Sequence, residues 1–143
     1  MQSLLTRKEC RLVQASFAEI EPNADAVAGT FYRRLFELNP DLVRLFKTDM
    51  QLQGVKFMEK LAVAVMGLED LESIAPLVAV LGRRHAGYGV APEDYETARE
   101  ALLWTVAEFL GPAFNSELRS AWSAAFATLS TEMLRAAEGD AGR

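Results

Sequence analysis

Apolar residues along this chain recur at third and fourth positions almost throughout, and the five prolines fall between these runs or near their ends. That spacing winds one apolar stripe onto a helix; strands would need alternation and β-branched runs bounded by Asn-Gly or Asp-Gly turns. The chain is therefore expected to be all-α.

Local signals divide it into segments. Thr6 followed by Glu9 is a capping-box pattern, in which hydroxyl and carboxylate satisfy each other's free backbone N–H groups. Leu12, Val13, Phe17 and Ile20 then form one face, and Glu21-Pro22-Asn23 closes the helix. A second helix is expected from about Asp25 to Leu38, with Val27, Phe31, Leu35 and Leu38 inward. Asn39-Pro40 gives a cap and a preset first residue for a short element through Leu42, Leu45 and Phe46. Thr48 with Gln51 offers another capping box, opening a helix to about Met66 that carries Gln53, Phe57, Leu61 and Ala64 on one face.

Asp70 and Ser73 mark a break, after which Ile74, Leu77, Val78 and Leu81 lead to His85. Two glycines and a proline within residues 86–92 force the chain out of that helix. Pro92 starts a helix to about Leu110, with Tyr95, Leu102, Leu103, Val106 and Phe109 as core. Gly111-Pro112 ends it. The last helix is expected from about Ser116 to Glu138, carrying Leu118, Trp122, Phe126, Leu129 and Met133, with residues 139–143 as a frayed tail. At 143 residues the chain is the size of one domain.

Charge and composition exclude several functions. Twenty acidic against 15 basic side chains leave a net charge of −5, and nucleic-acid binding needs clustered cations to release counterions. Nucleic acid is not an expected partner. The one cysteine, Cys10, cannot form an intramolecular disulfide or a thiolate zinc site. No signal-peptide pattern opens the chain and no apolar run approaches a membrane span, so a cytoplasmic protein without a membrane span is expected. A single histidine excludes two-histidine metal motifs. By its position alone, His85 is either a capping or packing residue at a helix end or a metal ligand; a neutral imidazole serves iron well. Spacing does not choose between them.

The order of motifs does. FYRRLFELNPDLVRLF at 31–46, QGVKFMEKLAVAV at 53–65, LGRRHAGYGVAPEDY at 81–95 and the Ala121-Trp122 pair together resemble a bacterial single-domain globin. They are similar to the haem domain of flavohaemoglobins and to globins of acid-tolerant methane-oxidising bacteria. The resemblance spans nearly the whole chain and implies a globin fold, a three-over-three helical sandwich around haem b.

It also implies roles. His85 matches the proximal iron ligand, Tyr32 the distal tyrosine, Gln53 the distal glutamine and Phe57 the apolar residue one turn further. Phe46 matches the phenylalanine against the haem face, and Leu81 and Val90 border the proximal side. Lys56 and Arg84 are the candidates for pairing with haem propionates. Tyr95 matches a tyrosine behind the proximal histidine. The glutamate that accompanies it in flavohaemoglobin-like domains falls at Ala137 here, with Glu138 one residue later. One residue turns a helical side chain by about 100°, so Glu138 is expected towards solvent.

With its only histidine on the proximal side, the haem is expected to be pentacoordinate. Tyr32 and Gln53 would both donate towards a bound gas and give tight oxygen binding. Dioxygen, carbon monoxide and nitric oxide are the expected ligands. The alternatives are nitric oxide dioxygenase activity, a haem-based gas sensor, or an all-α interaction domain that has lost the cofactor. The dioxygenase reading requires a separate reductase, because the chain is expected to stop at its last helix with no room for a flavin.

Overall fold

The computed structural model describes residues 5–141, and among them there are six α-helices, three short 3₁₀ turns and no strand. The first helix, α1 (Arg7–Ile20), starts as its sequence requires. The Thr6 hydroxyl accepts from the Glu9 N–H at 3.0 Å, and the Glu9 carboxylate accepts from the Thr6 N–H at 2.9 Å. A 3₁₀ turn at Glu21–Asn23 joins it to α2 (Ala24–Leu38). Asn39 caps a second such turn, Pro40–Leu45, by accepting from the Asp41 N–H at 3.2 Å. Then follow α3 (Met50–Met66), α4 (Leu71–Gly87), α5 (Pro92–Leu110), a third turn at Gly111–Ala113, and α6 (Ser116–Ala141).

Four expectations are corrected. The cap of α3 is Asp49, whose carboxylate accepts from the Gln51 N–H at 3.1 Å; Thr48 stands one residue outside the helix and has another partner. Pro76 lies inside α4, at its sixth residue, where the helix forgoes one backbone bond on an exposed stretch. Leu38 is 41% exposed, because it is the terminal residue of α2 and lies beyond Leu35, the last buried position of that helix. The last helix continues beyond Glu138 to Ala141, so residues 139–141 are helical; residues 142–143 lie outside the described part.

The helices form two layers, α1, α3 and α4 over α2, α5 and α6, with α4 seated mainly on α6 and α2 mainly on α5. Val13, Phe17, Ile20, Val27, Phe31, Leu35, Leu102, Val106 and Trp122 fill the space between. Trp122 illustrates how apolar burial and polar satisfaction combine. Its ring lies 6.5 Å from that of Phe17, and its indole N–H donates to the Ser16 hydroxyl at 2.9 Å, a group that donates in turn to the Leu12 carbonyl at 2.8 Å. No polar atom of that pair is buried without a partner.

Two glycines set helix separations. A methyl group on Gly54 of α3 would meet the Ala28 Cβ of α2 at 3.0 Å, so these helices cross closely. On Gly82 of α4 it would overlap the backbone of Met133 in α6. By contrast α3 and α4 touch sparsely, with Gly67 against Ile74 beside the turn joining them. Half-buried side chains of both helices, among them Phe57 and Leu61 on α3 and Leu77 and Leu81 on α4, flank that division.

A candidate haem pocket between two helices

His85 occupies the last full turn of α4, half-buried. Its Nδ1 lies 2.7 Å from the Leu81 carbonyl, one helical turn back. A carbonyl can only accept, so Nδ1 carries the hydrogen and the Nε2 lone pair is left for a ligand or metal. Burial lowers the imidazole pKa below the ordinary histidine value; the Leu81 bond opposes this, and the charge of Lys60 adds to it. At neutral pH the ring is therefore neutral, the state a metal requires. The corner behind it is closed by backbone bonds, with the Val90 N–H donating to the His85 carbonyl at 3.0 Å and Gly89 at φ 95°. Only glycine takes that conformation without strain.

Tyr95 of α5 is buried, with its ring centroid 6.1 Å from that of His85 at an angle of 31°. Its pKa is raised by burial, so it is a neutral phenol beside the imidazole. Glu138 is exposed and Ala137 half-buried, so no carboxylate takes the place that the Ala137 position would have to supply.

Across the division, Tyr32 of α2 is 7% exposed and ringed by aromatics. Phe46 meets it edge-on at 5.2 Å, Phe57 at 5.7 Å and Phe31 at 5.1 Å, while Phe36 lies 6.2 Å away. Phe57 itself is stacked on Phe31 at 4.5 Å and 9°, so its ring leans onto α2. Desolvation pushes the Tyr32 pKa up to about 12, against the effect of a hydrogen bond with the Gln53 side chain. The phenol thus remains an O–H donor throughout the physiological range.

Gln53 is half-buried and is oriented from its other end: the Thr48 hydroxyl lies 3.4 Å from Oε1. A hydroxyl donating to Oε1 turns the amide NH₂ towards Tyr32. An amide NH₂ that donates to the phenol oxygen leaves the Tyr32 hydrogen for a third group. The sequence pattern assigns Thr48 to a helix cap and so misses this role. A hydroxyl five residues before a distal glutamine is the signal that points to it.

The cations also sort themselves. Lys56 and Arg84 are exposed, whereas Lys60 is half-buried and its charge reaches His85 from α3. Lys60 is thus the cation of α3 whose charge is felt at His85. Leu81 and Val90 are half-buried at the same corner.

A flat, largely apolar group with one central metal fits these residues. Phe46, Phe57, Leu61 and Leu81 are half-buried apolar side chains on α3, on α4 and at the end of the Pro40–Leu45 turn, and His85 keeps a neutral Nε2 while its Nδ1 is tied to the Leu81 carbonyl. Among the described residues no three His, Cys, Asp or Glu side chains converge to hold a bare ion, so a metal at His85 must bring its other donors, as a porphyrin does.

The family model for globins matches residues 29–133, and the chain belongs to the globin family. Among curated relatives, the flavohemoprotein of Rhizobium meliloti is 32% identical over 130 residues, covering 88% of this chain and 32% of that one. The flavohemoprotein of Deinococcus radiodurans is 29% identical over 145 residues, 97% of this chain and 36% of that one. The chain thus spans about a third of the length of the curated relatives it matches. Two solved structures share the fold. An engineered carbene transferase from Rhodothermus marinus, itself a candidate nitric oxide dioxygenase, has a TM-score of 0.87 at 24% identity over 96% of both chains. A bacterial globin from Campylobacter jejuni has a TM-score of 0.84 at 18% identity over 96% of this chain and 100% of that one. Among the described residues no helix is long and apolar enough to cross a membrane.

Proposed function

We propose that this chain binds a b-type haem through His85 Nε2 and takes up dioxygen and other diatomic gases reversibly on the Tyr32 and Gln53 side. The observation that supports this reading is a neutral imidazole, His85, whose Nδ1 is tied to the Leu81 carbonyl so that Nε2 is available, together with a buried phenol, Tyr32, that desolvation keeps protonated. Haem iron, when bound, supplies the coordination position at which a gas is held. The protein's part is to hold Nε2 on the metal through the Leu81 bond and to aim the Tyr32 hydrogen at the gas. Phe46 and Phe57 keep water away. As the chain's only histidine would be on the proximal side, no second imidazole would compete, and a bound haem would be pentacoordinate before gas enters.

A hydrogen bond of ordinary net strength is worth about 0.5–1.5 kcal/mol, so losing the Tyr32 donor speeds oxygen release by roughly two- to tenfold. The test is the absorption spectrum of the purified protein in ferric, ferrous and carbonmonoxy forms, with His85→Ala and Tyr32→Phe beside it. A Soret band that His85→Ala weakens, and oxygen release that Tyr32→Phe accelerates, support the reading. Full haem retention by His85→Ala removes the ligand assignment.

The flavohemoprotein relatives favour a second reading of the same pocket, nitric oxide dioxygenase activity. It needs electrons from a reductase. Steady-state nitric oxide consumption with a supplied reductase tests it; consumption that stops at one equivalent rules it out.

A further inference from the structure

The outward face of α3 carries a stripe that gas binding does not use. Among the described residues, Leu52 is 48%, Val55 41%, Val63 46% and Met66 73% exposed, and these four are most of the large apolar side chains that face solvent. A helix turns by about 100° per residue, which puts all four within a sector of about 80° centred near Glu59. Glu59 is exposed, and so is Lys56 at the edge of the sector. Gln53 and Phe57 fall outside it, on the side that meets α2. Leu52, Val55, Glu59, Ala62 and Met66 alternate steps of three and four, the spacing with which one helix pairs with another.

The two ends of the stripe differ in shape. At one end an open hollow of about 420 Å³ is lined by Ala62, Val63, Met66, Gly67, Ser73 and Ile74. At the other, Leu52 stands ten residues before Ala62, about 15 Å along the helix axis. The face therefore presents a knob, a hole, and one cation and one anion between them. Such a surface complements itself when a two-fold axis lays it antiparallel on its own copy.

We propose that α3 docks antiparallel on α3 of a second copy of this chain, with the two-fold axis level with Phe57. Leu52, five residues before the axis, then meets Ala62, five after it, and enters the hollow. Glu59, two residues after the axis, meets Val55 and lies beside Lys56 of the other copy. Charge selects this register, because an axis level with Glu59 would set two carboxylates face to face. It also selects the occupant: a second copy offers Lys56 to each Glu59 and Glu59 to each Lys56, whereas a neutral lipid surface would desolvate both uncompensated. The face of one 17-residue helix falls short of the roughly 800 Å² per partner of a standard interface. The dimer is accordingly weak, with a dissociation constant of about 10–500 μM.

Sedimentation equilibrium of the purified full chain from about 10 μM to 1 mM should show monomer giving way to dimer and to nothing larger, since a two-fold contact closes on itself. Leu52→Glu should abolish the dimer with circular dichroism and melting temperature unchanged, as that side chain is already exposed; Val43→Ser, off the stripe, should dimerise as wild type. Lys56→Glu and Glu59→Lys should each weaken self-association about tenfold. An equimolar mixture of the two should associate as well as wild type, because both contacts then pair opposite charges. A chain monomeric throughout, a dimer that survives Leu52→Glu, or a mixture no tighter than its components would overturn the proposal. So would a monomer that floats with phosphatidylcholine vesicles and loses this in Leu52→Glu, which assigns the stripe to a lipid surface.

Discussion

Gly82 and Met133 bring the backbones of α4 and α6 into direct contact, with no room for a side chain at position 82. His85 is one turn further along α4, so this contact seats on α6 the helix that carries the imidazole.

Gly82→Ala is therefore expected to force α4 off α6. The neighbour in the way is backbone, which cannot rotate aside, so destabilisation of about 2–3 kcal/mol follows. Thermal unfolding of the variant should show a melting temperature lower by roughly 5–10 °C, together with weaker haem retention. Gly87→Ala provides the contrast: nothing lies within 4 Å of a Cβ there, and stability should be unchanged or slightly higher.

Thr48→Val removes the donor that orients the Gln53 amide. The glutamine is then free to turn, and Tyr32 loses part of its partner. Oxygen release should quicken by about two- to threefold, less than for loss of the Tyr32 hydroxyl, since the bond lost is worth a few tenths to one kcal/mol. Stopped-flow replacement of oxygen by carbon monoxide measures it; Thr48→Ser should behave as wild type.

His85 gives a pH dependence with a clear sign. Its folded pKa lies below the ordinary histidine value, so the unfolded chain binds the proton more tightly. The stability it contributes is present above the unfolded pKa, about 6.5, and is lost as pH falls through that value towards the lower folded pKa. As the chain has one histidine, the slope of apoprotein stability between about pH 7 and 5.5 should flatten in His85→Phe. Chemical denaturation at several pH values reads this directly.

Tyr32 acts at the other end of the scale. Its pKa rises from 10.0 to about 12 in the fold, so its contribution is whole below pH 10 and is lost as pH rises from 10 towards 12. Two units correspond to about 2–3 kcal/mol. In the apoprotein, Tyr32→Phe should lose less stability than wild type over that interval, while oxygen release from the loaded wild type should stay level from about pH 6 to 10.

Helix content, helix order and the core were legible in the sequence because a helix is a local object. Its period, its caps and its breaks are written in neighbouring residues, as Thr6 with Glu9, Asn39-Pro40 and Gly111-Pro112 illustrate. The resemblance that singled out His85, Tyr32 and Gln53 rests on motif order, which is also linear. The fold decided what depends on residues far apart in the chain or on the direction of a side chain. Asp49 rather than Thr48 caps α3 because capping depends on backbone dihedrals at one residue, and the released hydroxyl then finds Gln53. The charge of Lys60 on α3 is felt at His85 on α4, two helices whose placement is set elsewhere, by Gly54 on Ala28 and Gly82 on Met133. The sequence determined which helices form and which residue types line them; only packing between distant segments decided which of those residues face each other.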